Sequence, residues 1–128
     1  MNNKVENLLV FGCSGLLGKC LIDYYQKHKK IKIHAAINKS QINNRNVKIV
    51  NLKKIILLNK YIKKNNIDTI INFAGLTNIE LCEKNIGSSK ISNFIVPAKL
   101  ARISKQHNIN YIFISTDNFK FRGKKLSE

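Results

Sequence analysis

The sequence predicts an α/β protein, a parallel sheet in the order 3-2-1-4-5 with helices on both faces. Three observations carry this expectation. Five short apolar runs recur along the 128 residues, helical stretches separate most of them, and the first run passes through a glycine-spaced turn directly into a helix. Strand, crossover, strand repeated in this way builds a parallel sheet, and right-handed crossovers set the strand order.

The first strand is expected at 7–11, followed by Gly12, Gly15 and Gly18 and a helix over 15–28 whose apolar positions are Leu16, Leu17, Cys20, Leu21 and Tyr24. A second strand is read at 32–37, a polar loop at 38–46 and a third strand at 47–50. A helix over 52–64 follows, with Leu52, Ile55, Ile56, Ile62 and Tyr61 as its inner face, then a fourth strand at 69–73. A turn of helix at 79–83 and a longer helix over 89–106, with Ile91, Phe94, Ile95 and Ala98 on one stripe, lead to a fifth strand at 111–115. Neither a repeat nor a low-complexity linker interrupts this order, and the length fits one domain, 1–128.

The glycine turn is where this arrangement meets chemistry. A glycine at 12 permits a tight turn off the strand, one at 15 lets a pyrophosphate approach the backbone, and one at 18 lets the helix lie close on the sheet. The free N–H groups and partial positive charge at a helix N-terminus then favour an anion. The sequence therefore reads as a Rossmann-like dinucleotide site, with a crevice at the carboxyl ends of strands 1 and 4.

Composition narrows the alternatives. The net charge of +16 invites a nucleic-acid reading. Yet only Arg45, Arg102 and Arg122 among the 23 basic residues are arginine, and the lysines are spread along the chain among Asn and Ile, so no specific nucleic-acid partner is implied. Cys13, Cys20 and Cys82 are odd in number and lack C-x-x-C spacing, which suggests neither a disulfide framework nor a metal site. His28, His34 and His107 have no partners that would make a ligand set. No signal peptide and no membrane span is read, and a cytoplasmic location is expected.

Three segments fall at matching places: GCSGLLG after strand 1, INFAGLT after strand 4 and ISTD at the end of strand 5. Together they resemble the extended short-chain dehydrogenase/reductase superfamily, most closely its dTDP-4-dehydrorhamnose reductase branch. The branch pattern N-A-A-x-x-T-x-V-D-x-A-E is similar to the stretch from Asn72 to Glu83, with Asn93, Pro97 and Ala98 in register beyond it. Its S-T-D-Y-V-F-D-G is similar to the stretch from Ser115 to Gly123.

The resemblance implies that Gly12, Ser14, Gly15, Leu16, Leu17 and Gly18 surround the pyrophosphate of NADP or NAD. It implies that Asn38, Lys39, Asn51 and Leu52 lie toward the adenosine end, and that Phe73, Ala74, Gly75, Thr77 and Ser115 pass beside the rest of the cofactor. Thr116 becomes the hydroxyl that hydrogen-bonds a substrate carbonyl, and Asn93 the family's structural asparagine. NAD-preferring relatives carry an acidic residue after strand 2; here Asn38, Lys39 and Ser40 stand there, which tilts the expectation toward NADP. Asn118 replaces the branch's tyrosine, and the spacing to Gly123 is altered, which puts contacts to a sugar-nucleotide in doubt.

The resemblance also implies a Tyr-x-x-x-Lys pair on a helix after strand 5, where the lysine lowers the pKa of the proton-donating tyrosine. Tyr25 and Lys29 match it as letters, but at the far end of the first helix, about 20 Å from its N-terminus. The expected protein is thus the NAD(P)-binding portion of a sugar-nucleotide reductase or epimerase, stopping after strand 5, without the substrate-binding lobe and not catalytic alone. The alternative is a non-catalytic NADP-binding regulatory module of a larger enzyme complex. Its expected partners are a dinucleotide, a sugar-nucleotide or a missing C-terminal half. An uncovered sheet edge also leads one to expect a homodimer or a partner protein.

Overall fold

In a computed structural model of the protein, the described residues are 6–37, 47–51, 55–115, 120–121 and 124–125. The strands β1 (Glu6–Phe11), β2 (Ile31–Ile37), β3 (Lys48–Asn51), β4 (Thr69–Asn72) and β5 (Asn110–Phe113) form one parallel sheet in the order β3-β2-β1-β4-β5, as expected. β6 (Lys120–Phe121) and β7 (Lys124–Lys125) form a separate antiparallel pair. Each central strand is apolar on both sides because helices cover both. On β1, Leu8 and Val10 face one core with Ile22, Ile33 and Ile71, while Leu9 faces the other with Leu58, Ile62, Ile70, Leu100 and Ile103.

Helix α1 (Leu16–Tyr25) covers the first core through Gly18 and Ile22, with Leu21 and Tyr25 packed beside them. The expected apolar stripe was one position out of phase: Leu16, Leu17 and Tyr24 are exposed, as is Cys20. The cause is Gly18, whose backbone touches the turn beneath it and so fixes which side of the helix faces inward. Helix α2 (Ile55–Asn65) packs through Leu58 and Ile62 with Tyr61 alongside, whereas Ile56 is exposed rather than inner. Leu52 lies outside the described residues.

After β4 come α3 (Ile79–Lys84), α4 (Ile86–Lys90), a π-helical turn (Ile91–Ile95) and α5 (Val96–His107). The chain was expected to be helical from residue 89; it is helical from 86, and the π turn lies directly before Pro97. Proline has no N–H for an i→i−4 bond and its ring crowds the carbonyl four residues back, so the ladder widens there. The widened turn shifts the helix phase. Pro97, Leu100, Ile103 and Ser104 face the sheet, and the expected stripe of Ile91, Phe94 and Ala98 faces outward, with Ile95 half-buried.

In the middle of β2, His34 is completely buried between Tyr61 Oη at 2.7 Å from Nδ1 and Asn7 Oδ1 at 3.3 Å from Nε2. Burial first, then the nearby charges of Lys32 and Lys48, pull its pKa down to about 4, so the imidazole is held neutral. His107 instead ties α5 to α2 through Asn59 Oδ1, 2.7 Å from Nε2.

Candidate functional site

Reversal of strand order between β1 and β4 opens a crevice at their carboxyl ends. Phe11 pairs with Asn72 across it, and Phe73 N–H still donates to Phe11 O at 3.0 Å, so the strands separate one residue later. Gly12 begins one wall. Its φ of +77° is a conformation that side chains disfavour, and a Cβ there would lie 2.6 Å from Ala74 N and 2.7 Å from the Phe73 carbonyl carbon. Only glycine lets the two loops touch.

The turn closes with Gly15 N–H donating to Gly12 O at 3.1 Å, and a Cβ on Gly18 would overlap Gly12 O and the Cys13 backbone. Gly15 differs from both. It is exposed in an extended conformation, and an added Cβ would approach only Gly12 O, at 3.4 Å. The packing of the protein itself therefore does not require glycine at 15. Gly15 caps α1 without a side-chain hydrogen bond, and the first turn carries no acidic residue, so the amide groups and dipole face the crevice unneutralised. Ser14, Leu16 and Leu17 are exposed at the same mouth.

Cys13 lies under this turn, fully buried, its Sγ donating to Val10 O at 3.2 Å. Burial pushes its thiol up to about 12, which makes it inert packing.

The opposite wall is the loop from Phe73 to Asn78, and side chains hold it. Asn72 is buried; its Oδ1 accepts from Ala74 N–H at 3.0 Å while its Nδ2 donates to Tyr111 Oη at 3.4 Å. Burial, partly offset by that bond, raises the Tyr111 pKa. Asn93, aimed from the π turn, grips Leu76 twice: its Oδ1 accepts from Leu76 N–H at 2.7 Å and its Nδ2 donates to Leu76 O at 2.9 Å. Cys82 Sγ donates to the same carbonyl at 3.3 Å. Asn78 caps α3 by accepting from Leu81 N–H at 2.9 Å.

The structure therefore brings together Gly12, Ser14, Gly15, Leu16, Leu17, Gly18, Phe73, Ala74, Gly75 and Thr77 around one crevice, with Ser115 two residues beyond β5 on the same edge. Asn51 ends β3, further along that edge. Asn38, Lys39, Leu52 and Thr116 lie outside the described residues. Tyr25 ends α1 and Lys29 stands in a turn beyond it, at the amino end of the sheet, so the pair shares neither a helix nor the crevice. Sequence reasoning missed Asn72 and Cys82. A lone asparagine closing the apolar run Thr69–Asn72 was the available signal for the first. For Cys82, nothing short of the fold could have found the Leu76 carbonyl. Among the described residues no three His, Cys, Asp or Glu side chains converge as a metal set, and no helix is long and apolar enough to cross a membrane.

A family model, that of the NAD dependent epimerase/dehydratase family, matches residues 8–120. The chain belongs to this family. Among solved structures, it is similar to a hypothetical dTDP-4-dehydrorhamnose reductase from Sulfolobus tokodaii, with 26% identity and a TM-score of 0.71 over 87% of this chain and 39% of that one. It is also similar in fold to a UDP-glucose 4-epimerase from Thermotoga maritima with UDP-glucose, at 16% identity and a TM-score of 0.75 over 90% of this chain and 41% of that one. A dTDP-glucose 4,6-dehydratase from Bacillus anthracis in complex with NAD has 24% identity and a TM-score of 0.67, over 88% and 38% of the two chains. The chain thus spans about two fifths of the length of these solved structures. No curated protein matches it.

Proposed function

We propose that this chain is the dinucleotide-binding portion of a dTDP-4-dehydrorhamnose reductase-like sugar-nucleotide reductase or epimerase, and that by itself it binds cofactor without turning over substrate. The observation that carries the reading is the glycine turn: Gly12 and Gly18 are closed by their own neighbours, while Gly15 stands open beneath an uncapped helix N-terminus. That cradle fits a pyrophosphate, whose oxygens would accept from the first-turn amides without meeting a Cβ. The small residues Ala74 and Gly75 leave the far wall open to a flat ring or ribose, and Asn93 keeps that wall in place.

When bound, the cofactor supplies hydride chemistry; the residues described here bind and orient it. Thr116 would hydrogen-bond a substrate carbonyl, by resemblance. The preference for NADP rests on Asn38 and Lys39, where a lysine and no carboxylate would meet a 2′-phosphate. All four tyrosines are described, and none stands at the crevice with a lysine four residues on.

Fluorescence titration with NADH and NADPH tests the reading. Saturable binding of both, with NADPH at least as tight, is the expected result, and no response up to millimolar concentrations would overturn it.

A further inference from the structure

Tyr25 and Lys29, which the crevice does not use, border a cavity of about 220 Å³ at the other end of α1. Ten residues of helix, about 15 Å, separate it from the glycine turn. Its floor is apolar, made by Ile31 and Ile33 at the start of β2 and by Val47 leading into β3. The chain passes from helix to strand in one tight turn, with His28 N–H donating to Tyr25 O at 2.9 Å and Ile31 N–H donating to His28 O at 3.2 Å.

Aromatic rings form one wall. Tyr25, half-buried against the core, meets Tyr24 edge-on with ring centroids 4.8 Å apart, and His28 packs on Tyr25 at 5.6 Å and on Tyr24 at 5.5 Å. Three rings that hold one another present an ordered surface before any ligand arrives, which lowers the entropy cost of binding. The surroundings are cationic. Lys29 and Lys32 line the cavity, with Lys27 and Lys30 beside them in the chain. No carboxylate occurs between Asp23 and Asp68, and Glu6, opposite Ile31 in the sheet, does not line the cavity.

We infer that this cavity is a second small-molecule site, one that takes a compact planar aromatic ring carrying an anionic group. The ring lies over the isoleucine floor against Tyr25 and His28, and the anion meets the ammonium of Lys29. Apolar walls with a few placed polar groups are the usual make-up of such sites. At about 220 Å³ the cavity is smaller than the ~300–1,000 Å³ of drug-sized sites, so it admits one or two fused rings rather than a dinucleotide. Ring contacts supply most of the affinity and the ammonium supplies the preference for an anion, because exposed ion pairs contribute little. The site shares no residue with the crevice, so it stands whether or not the crevice holds a dinucleotide.

An NMR titration of the full chain with indole-3-acetate tests the site, with indole-3-acetamide as the neutral counterpart and acetate as the anion without a ring. Saturable binding of indole-3-acetate with a Kd of about 1 mM or tighter is expected, with shifts centred on the His28 and Tyr25 ring signals. The amide should bind several-fold more weakly, and acetate should give no saturable shift. His28→Ala and Lys29→Glu should each weaken indole-3-acetate about threefold or more, and Lys29→Glu should also remove the preference over the amide. Saturating NADH should leave indole-3-acetate in place. No saturable binding, equal affinity for acid and amide, variants that bind like wild type, shifts centred on the crevice, or displacement by NADH would each overturn the proposal. Both substituted side chains are exposed, and circular dichroism checks the fold; if His28→Ala does not fold, Lys29→Glu and the comparison of acid with amide decide.

Discussion

The two loops that meet at the crevice are held by opposite means. The turn after β1 is fixed by what its residues lack: Gly12 and Gly18 fit because no Cβ intrudes. The loop after β4 is fixed by what its neighbours reach out to do, through Asn72 on Ala74 and through Asn93 and Cys82 on Leu76. A steric device fails all at once, because a backbone cannot yield locally. A hydrogen-bonded device fails by degrees, one partner at a time.

The largest expected effect follows from the first device. Gly12→Val adds left-handed strain to a direct overlap with the Phe73–Ala74 backbone, and Gly18→Val drives α1 off the turn. Overpacking typically destabilises by ~1–3 kcal/mol and left-handed backbone by a further ~1–2 kcal/mol. Either variant should therefore unfold early in urea, and a midpoint unchanged from wild type would break the steric account.

Asn93→Ala comes next. It leaves both backbone groups of Leu76 without that partner, a loss of about 1 kcal/mol where water can reach them. Dinucleotide affinity should fall several-fold while Asn93→Asp, which keeps one acceptor, loses less. Hydrogen exchange at the Leu76 amide is the direct readout: protection equal to wild type in Asn93→Ala would refute the clamp.

His34 tests a region remote from both loops. Its folded pKa of about 4 lies below the unfolded value of 6.5, so the unfolded chain binds more protons between those two values. Stability contributed by neutral His34 is thus complete above about pH 6.5 and declines as pH falls toward 4. His34→Gln should flatten that part of the melting-temperature profile relative to wild type; an identical slope would count against it. Cys82→Ala is the smallest change, removing one weak thiol bond from a carbonyl that Asn93 still serves. A shift in melting temperature of no more than a degree or two is expected by calorimetry, and a large one would mean that Cys82, not Asn93, carries the clamp.

The same contrast explains what the sequence could reveal. Strand order, the glycine turn and the Ala74–Gly75 wall were legible because each depends on local spacing or on the absence of a side chain. Helix phase was not: Gly18 and Pro97 rotate α1 and α5 away from the stripes that apolar spacing alone suggests. Nor were the clamps legible, since Asn93 and Leu76 are 17 residues apart and meet only once the π turn has formed. The resemblance marks Asn93 as structural without saying what it bonds, and it is exposed even while it bonds.

Gly15 is the glycine of the turn that packing does not require, so it offers the most direct test of the proposed binding role. In a thermal-shift titration, NAD(H) or NADP(H) at 100 times its Kd should stabilise the wild type by about 2.7 kcal/mol, roughly 10 °C for a domain of this size. Gly15→Val should melt within a few degrees of wild type without ligand, because its φ of −77° and ψ of 173° suit any residue, yet show no ligand response. An equal response in both proteins, or none in the wild type, would contradict the account.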